Sequence, residues 1–226
     1  MKYTFNRELE NLKLKVMQIA VTVRQVVADA YHAWVLRDDE LAESVIAADE
    51  EIDQLEVEID DSCLRMLALD QPVAHDLRFV IGSMQVADFM ESIADQAVKI
   101  SRRSLVLPTK PQLPYDPLLE SLYVHVYDML EAVIEAYNRE DADLAQEIFM
   151  ADCEANSINN RILHEAGRTM VDDPAQIELQ IQKIIMARHL ERIGDVAGNA
   201  AQSIVLIKKG MNVKHTIKKS MIKPNN

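Results

Sequence analysis

The sequence predicts an all-α protein of two tandem three-helix bundles related by an internal repeat, and three observations carry that reading. Apolar residues recur at spacings of three and four from Leu9, Leu12, Val16, Ile19, Val23 and Val26 onward. Strict alternation over strand lengths is scarce, so the period is helical. A shift of 103 residues lays Leu41, Ala42, Val45, Ala48 and Asp49 over Leu144, Ala145, Ile148, Ala151 and Asp152. After a three-residue contraction, Leu77, Ile81, Met84, Ala87 and Ile93 fall on Ile177, Ile181, Ile184, Ala187 and Ile193, which makes the chain two copies of one unit. Between the copies lies LPTKPQLPY, residues 107–115, whose three prolines cannot continue a helix.

The elements follow in order. A first helix over 5–37 ends at Arg37-Asp38-Asp39, and a second over 39–69 ends at Asp70-Gln71-Pro72. Pro72 is expected to open the third helix, over 73–105, because a proline in the first turn removes an N–H that had no partner there. Asp116-Pro117 and Asp173-Pro174 repeat that cap-then-Pro arrangement, giving helices over 117–139, 141–171 and 175–209, the last stopped by Gly210. Helices of about 30 residues span about 45 Å, and loops of a few residues fold them back antiparallel. The expected organisation is a bundle over 1–106, a Pro-rich linker over 107–115, a second bundle over 116–210 and a basic tail over 211–226.

Composition bounds the function. With 226 residues, 49% apolar content and only 5 Gly, the chain can bury a substantial core. No apolar run approaches the ~20 residues that span a bilayer, and MKYTFNRELENLKLK mixes charge throughout, so a cytoplasmic location is expected. Cys63 and Cys153 lack metal-ligand spacing and read as buried or half-buried thiols, not a disulfide. A net charge of −13 repels phosphate backbones and argues against nucleic-acid binding. Lys208, Lys209, Lys214, His215, Lys218, Lys219 and Lys223 run against that charge and read as a solvated end to the last helix. The 11 methionines read as core filling, and no histidine forms the Glu-x-x-His pair of ferritin-like di-iron helices.

The chemistry lies in the carboxylates. ADFMESIADQAV at 87–98 and ARHLERIGDVAG at 187–198 each place a Glu and an Asp four apart, Glu91 with Asp95 and Glu191 with Asp195. On a helix such a pair shares one face, one turn apart. The preceding helix supplies Asp49, Asp53 and Glu56 in the first copy and Asp152 in the second. If the helices are antiparallel neighbours, these ladders gather hard oxygen donors suited to Mg, Ca, Mn or iron, and a cation would relieve their repulsion. The competing reading is ordinary surface pairing, since Arg188 and Arg192 stand beside Glu191 and Asp195.

HLERIGDVAGNAA at 189–201, QPVAHDLR at 71–78, ESIAD at 91–95 and KKGMNVKH at 208–215 together resemble the PhoU family of phosphate-specific transport accessory regulators. The resemblance covers nearly the whole chain. It implies a cytoplasmic negative regulator of phosphate-starvation signalling, coupling the ATPase subunit of a phosphate ABC transporter to a sensor histidine kinase. Such a protein reaches the membrane through its partners, and a homodimer is compatible with it. The resemblance also implies metal ions, of iron, zinc, manganese or magnesium, on Glu91, Asp95, Asp49, Asp53, Glu191, Asp195 and Asp152. Two departures stand out: Ser92 and Ala94 replace the family's usual Arg and Gly, and Asn156 and Asn159 stand where the first copy has Asp53 and Glu56. The second site is therefore expected to bind more weakly. No Gly-rich phosphate loop and no Ser or Cys with a nearby partnered His occurs, so a binding protein is expected ahead of a metal-dependent hydrolase or a plain scaffold.

Overall fold

The structure, a computed structural model, describes residues 2–106 and 115–210, with side chains from residue 5 onward. The expected linker, apart from Tyr115, and the basic tail lie outside the described residues. Among these residues the elements are α1 (Lys2–Leu36), α2 (Asp39–Leu69), α3 (Ala74–Val106), α4 (Pro117–Arg139), α5 (Ala142–Asp172), a 3₁₀ turn (Pro174–Gln176) and α6 (Ile177–Lys209). No strand occurs among them. The helices α1–α3 pack on one another, as do α4–α6, and the two bundles join where α3 meets α6 and α1 meets α4.

Local chemistry sets the corners. Asp38 accepts from Leu41 N at 3.0 Å, and Asp141 accepts from Asp143 N and Leu144 N, so an aspartate caps the second helix of each copy. The chain reverses just before these caps through left-handed residues, Arg37 at φ 58° and Glu140 at φ 50°. Asp116 caps α4, taking Leu118 N and Leu119 N, with Pro117 in the first turn. Asp173-Pro174 opens the short 3₁₀ turn that leads into α6.

The third corner differs from expectation. Asp70 closes α2, its N–H donating to Met66 O, and Pro72 precedes α3 instead of opening it. Gln71 and Ala74 both have positive φ, so the helix takes its direction only after Ala74.

One hydrophobic core runs through both bundles, with Val16, Ile19, Val23, Ile52, Ile59 and Ile93 in the first copy and Leu122, Val126, Ile162, Leu190 and Ile193 in the second. The central seam is antiparallel: Ser203 Oγ donates to Gln85 Oε1, His189 shares a hydrogen bond with Gln96, and Arg103 Nε donates to Gln182 Oε1 at 2.8 Å. At one end of the seam the helices nearly touch. A Cβ on Gly82 would lie 2.3 Å from Ile207 Cγ1, so the close approach requires glycine there. Alongside, Tyr31 of α1 stacks on Tyr123 of α4 with ring centroids 3.8 Å apart.

Cys63 is buried, its thiol directed at Val80 O and pushed up to about 12 by burial and then by Asp60. Cys153 is exposed, not buried or half-buried. It lies on a polar outer stripe of α5 with Ser157, Asn160 and His164, all exposed.

Candidate metal-binding site

Ile52, Leu55 and Ile59 of α2 and Ile93, Ala94 and Ala97 of α3 are buried, which turns the polar edges of both helices toward a shared outer groove. Along that groove α2 presents Asp49, Asp53, Glu56 and Asp60, and α3 presents Asp88, Glu91 and Asp95. The helices are antiparallel, and the mutual electrostatic effects follow the register: Asp95 acts on Asp49, Asp53 on Glu91, and Asp88 on both Glu56 and Asp60. Asp49, Asp53, Glu91 and Asp95, all expected from the sequence, are thus brought together. Asp60 and Asp88 extend the same ladder and were not anticipated. Their spacing signals were there, Asp60 four after Glu56 and Asp88 three before Glu91.

The ladder is self-repelling. Burial comes first in pushing Asp49, Glu56, Asp60 and Glu91 above the ordinary carboxylate range, and neighbouring carboxylates push further. Among the described residues, relief comes only at one end, where Lys99 and Arg102 lower Asp49 and Lys99 Nζ lies 2.9 Å from Asp95 Oδ2. In the middle, Glu91 feels Asp95, Asp53, Glu56 and Asp88, and no cation among the described residues offsets them. Asp60 Oδ1 is buried with no hydrogen-bond partner among the described residues.

The second copy has the same backbone and different charge. Asp152 of α5 packs toward Gly198 of α6, whose Cβ would lie 3.8 Å from the Asp152 Cβ. Asn156 Nδ2 donates to Asp152 O at 3.1 Å and approaches its Oδ2 at 3.4 Å. Glu191 is raised by burial and then by Asp195, while Arg188 and Arg192 pull it down, and Arg192 Nη1 lies 3.5 Å from Asp195 Oδ2. Glu191 and Asp195 share a face of α6, and arginines compensate both.

For a hard cation the first-copy donors fit: many carboxylate oxygens, partly desolvated and short of positive charge. Among the described residues, no three acidic, His or Cys side chains already converge at coordinating positions. A cation held here would draw in the Asp53, Glu56, Asp88 and Glu91 side chains by rotamer changes.

The family model for the PhoU domain matches the chain twice, over residues 16–104 and 119–204. The chain belongs to the PhoU family. It is similar to the phosphate-specific transport system accessory protein PhoU of Serratia marcescens, at 35% identity over 93% of this chain and 87% of that protein. The PhoU of Escherichia coli strain K12 is 34% identical over the same share of the chain and 88% of its own length. Among solved structures, the crystal structure of PhoU from Pseudomonas aeruginosa superposes with a TM-score of 0.86 at 33% identity, covering 92% of this chain and all of that one. The phosphate transport system regulatory protein PhoU from Streptococcus pneumoniae gives 0.84 at 27% identity, over 92% and 99% of the two chains.

For a PhoU chain, the replacement of Gly by Ala94 in the first copy is accommodated, since Ala94 is fully buried in a packed helix. The second copy keeps Gly194, where a Cβ would meet Val126 Cγ2 at 3.5 Å and Ala155 Cβ at 3.6 Å, ordinary contact distances. The two PhoU copies therefore differ in charge far more than in backbone demand.

Proposed function

We propose that this chain is a non-enzymatic cytoplasmic adaptor that negatively regulates phosphate-starvation signalling and phosphate uptake, coupling the ATPase subunit of a phosphate ABC transporter to a sensor histidine kinase. The observation that carries the reading is the PhoU domain matched in both copies, with relatives named as accessory proteins of phosphate-specific transport along 93% of the chain. Among the described residues no helix is long and apolar enough to cross a membrane, in keeping with a protein that reaches the membrane through partners. The buried Cys63 thiol, bound to a backbone carbonyl, is no nucleophile.

An adaptor acts by binding one state of its partner better than another, so its loss changes signalling without removing a catalytic step. On this reading the first-copy ladder, chiefly Asp53, Glu56, Asp88 and Glu91 with Asp49 and Asp95, holds a metal ion such as iron, zinc, manganese or magnesium. The ion would neutralise the α2–α3 surface. Glu191, Asp195 and Asp152 form a weaker site.

The test is a phosphate-regulated reporter at high phosphate in wild type, a deletion strain, and a strain carrying Asp53→Asn/Glu91→Gln. Deletion should derepress the reporter, and the variant should do so in part if the cation supports docking. An unchanged reporter on deletion would contradict the assignment, and turnover of a phosphoester by the purified metal-loaded protein would contradict the non-enzymatic reading.

A further inference from the structure

Where α1 ends and α4 and α6 begin, the two bundles leave a pocket of about 110 Å³ whose lining includes Tyr31, Trp34, Tyr115, Gln176, Gln180 and Lys183. It lies at the opposite end of the seam from the Gly82–Ile207 contact and involves none of the carboxylates of the ladder. We infer that it is a binding site for a neutral, single-ring heteroaromatic molecule with adjacent hydrogen-bond donor and acceptor, of the pyrimidine-base type.

Each part of that description rests on a side chain. Trp34 and Tyr115, with the part of Tyr31 not covered by Tyr123, offer surface to a flat ring, because rings stack and meet edge-to-face at low entropic cost. Gln180 is only 8% exposed, and its Oε1 has no hydrogen-bond partner among the described residues. Its Nε2 reaches Gln176 Oε1 at 3.4 Å, a long bond that a ligand can replace. A buried amide with an open acceptor and a weakly held donor matches a ring edge carrying N–H beside C=O. A purely apolar ligand would leave that amide unsatisfied, at a cost.

Charge narrows the class further. Lys183 is 6% exposed, and its ammonium is held between Asp116 and Glu165. The lysine is compensated, so among the described residues that line the pocket no free cation remains to receive a phosphate or carboxylate. Burial and then Glu120 push the Tyr31 phenol up, which keeps it neutral. Size sets the last limit. At about 110 Å³ the pocket is smaller than the ~150 Å³ apolar cavity that accepts benzene, so it admits no more than one ring and leaves any sugar or phosphate outside.

Trp34 is the single tryptophan of the chain and lines the pocket, so its fluorescence reports occupancy. Uracil, orotate and toluene, titrated into the full-length protein, separate the alternatives, with calorimetry as a second readout. Orotate carries the same ring as uracil with a carboxylate added. The expected result is saturable binding of uracil and at least about tenfold weaker binding of orotate. Gln180→Leu or Gln180→Met should weaken uracil about tenfold and leave toluene unchanged, about 1.4 kcal/mol. Val35→Phe, which places a ring in the pocket wall, should abolish binding of both, with helicity retained. Absence of saturable uracil binding by both readouts in the wild type would overturn the proposal. So would toluene binding as tightly as uracil with no effect of Gln180 substitution, which describes an apolar void only, or orotate binding more tightly than uracil.

Discussion

The two copies share a backbone plan and diverge in what they do with charge. In the first, α2 sets Asp49, Asp53, Glu56 and Asp60 against Asp88, Glu91 and Asp95 of α3, and the middle of that array has no compensating cation among the described residues. In the second, the matching α5 positions are Asp152, Asn156, Asn159 and Leu163, and Arg188 replaces Asp88. Amides and arginines there do what a bound cation would have to do in the first copy: they satisfy or neutralise the remaining carboxylates. Duplication preserved the helices because their buried faces must pack. It left the outer groove free to specialise, since charge on a half-exposed face has little influence on folding.

The largest effect that would separate the copies is on cation affinity. Asp53→Asn/Glu91→Gln should weaken manganese binding by at least about tenfold, about 1.4 kcal/mol, whereas Glu191→Gln/Asp195→Asn should cost less, both read by calorimetric titration. Equal losses would erase the proposed asymmetry. The next effect concerns two glycines in comparable helices. Gly82→Ala drives a Cβ to within 2.3 Å of Ile207 Cγ1. The overpacking cost of about 1–3 kcal/mol outweighs the gain in helix propensity.

Gly194→Ala should act with the opposite sign and raise stability by about 0.5–1 kcal/mol, since its Cβ meets only ordinary contacts and the first copy already carries Ala94 there. Thermal unfolding of both variants checks the pair of signs.

The smallest effect is a pH slope. Asp49, Glu56, Asp60 and Glu91 have folded-state pKa values above their ordinary 3.8 and 4.5. Such groups keep their protons longer in the folded state, so their stabilising contribution is full below the ordinary range and is lost as pH rises through the raised values. Metal-free protein should therefore lose stability as pH rises from about 4 toward neutrality, and Asp53→Asn/Glu91→Gln should lose less. Denaturant midpoints across that range measure it.

Much of this was legible in the chain. The helices follow the apolar period closely because each must bury one face, and Asp38, Asp116 and Asp141 are caps whose side chains could be assigned from residue type alone. Asp70-Gln71-Pro72 resembles the same signal, but Asp70 ends α2, and the chain passes through positive φ at Gln71 and again at Ala74, the first residue of α3. The Glu91–Asp95 and Asp49–Asp53 pairs were visible as one-turn spacings. Asp60 and Asp88 joined them only once that corner fixed the register of α3 against α2, which no spacing within one helix reveals. The exposure of Cys153 was hidden for a related reason: it depends on which side of α5 faces solvent, and a cysteine is at home on either side.

Manganese-induced broadening of isoleucine methyl signals most directly tests whether the first copy is the stronger cation site. Ile52 and Ile93 flank the first ladder, and the second copy offers Ile158, at the place of Leu55, and Ile193, at the place of Ile93. With sub-stoichiometric manganese, Ile52 and Ile93 should broaden first, Ile158 and Ile193 should follow only at higher metal, and Asp53→Asn/Glu91→Gln should remove the early phase. Simultaneous broadening of all four, or broadening of Ile158 and Ile193 first, would contradict the account.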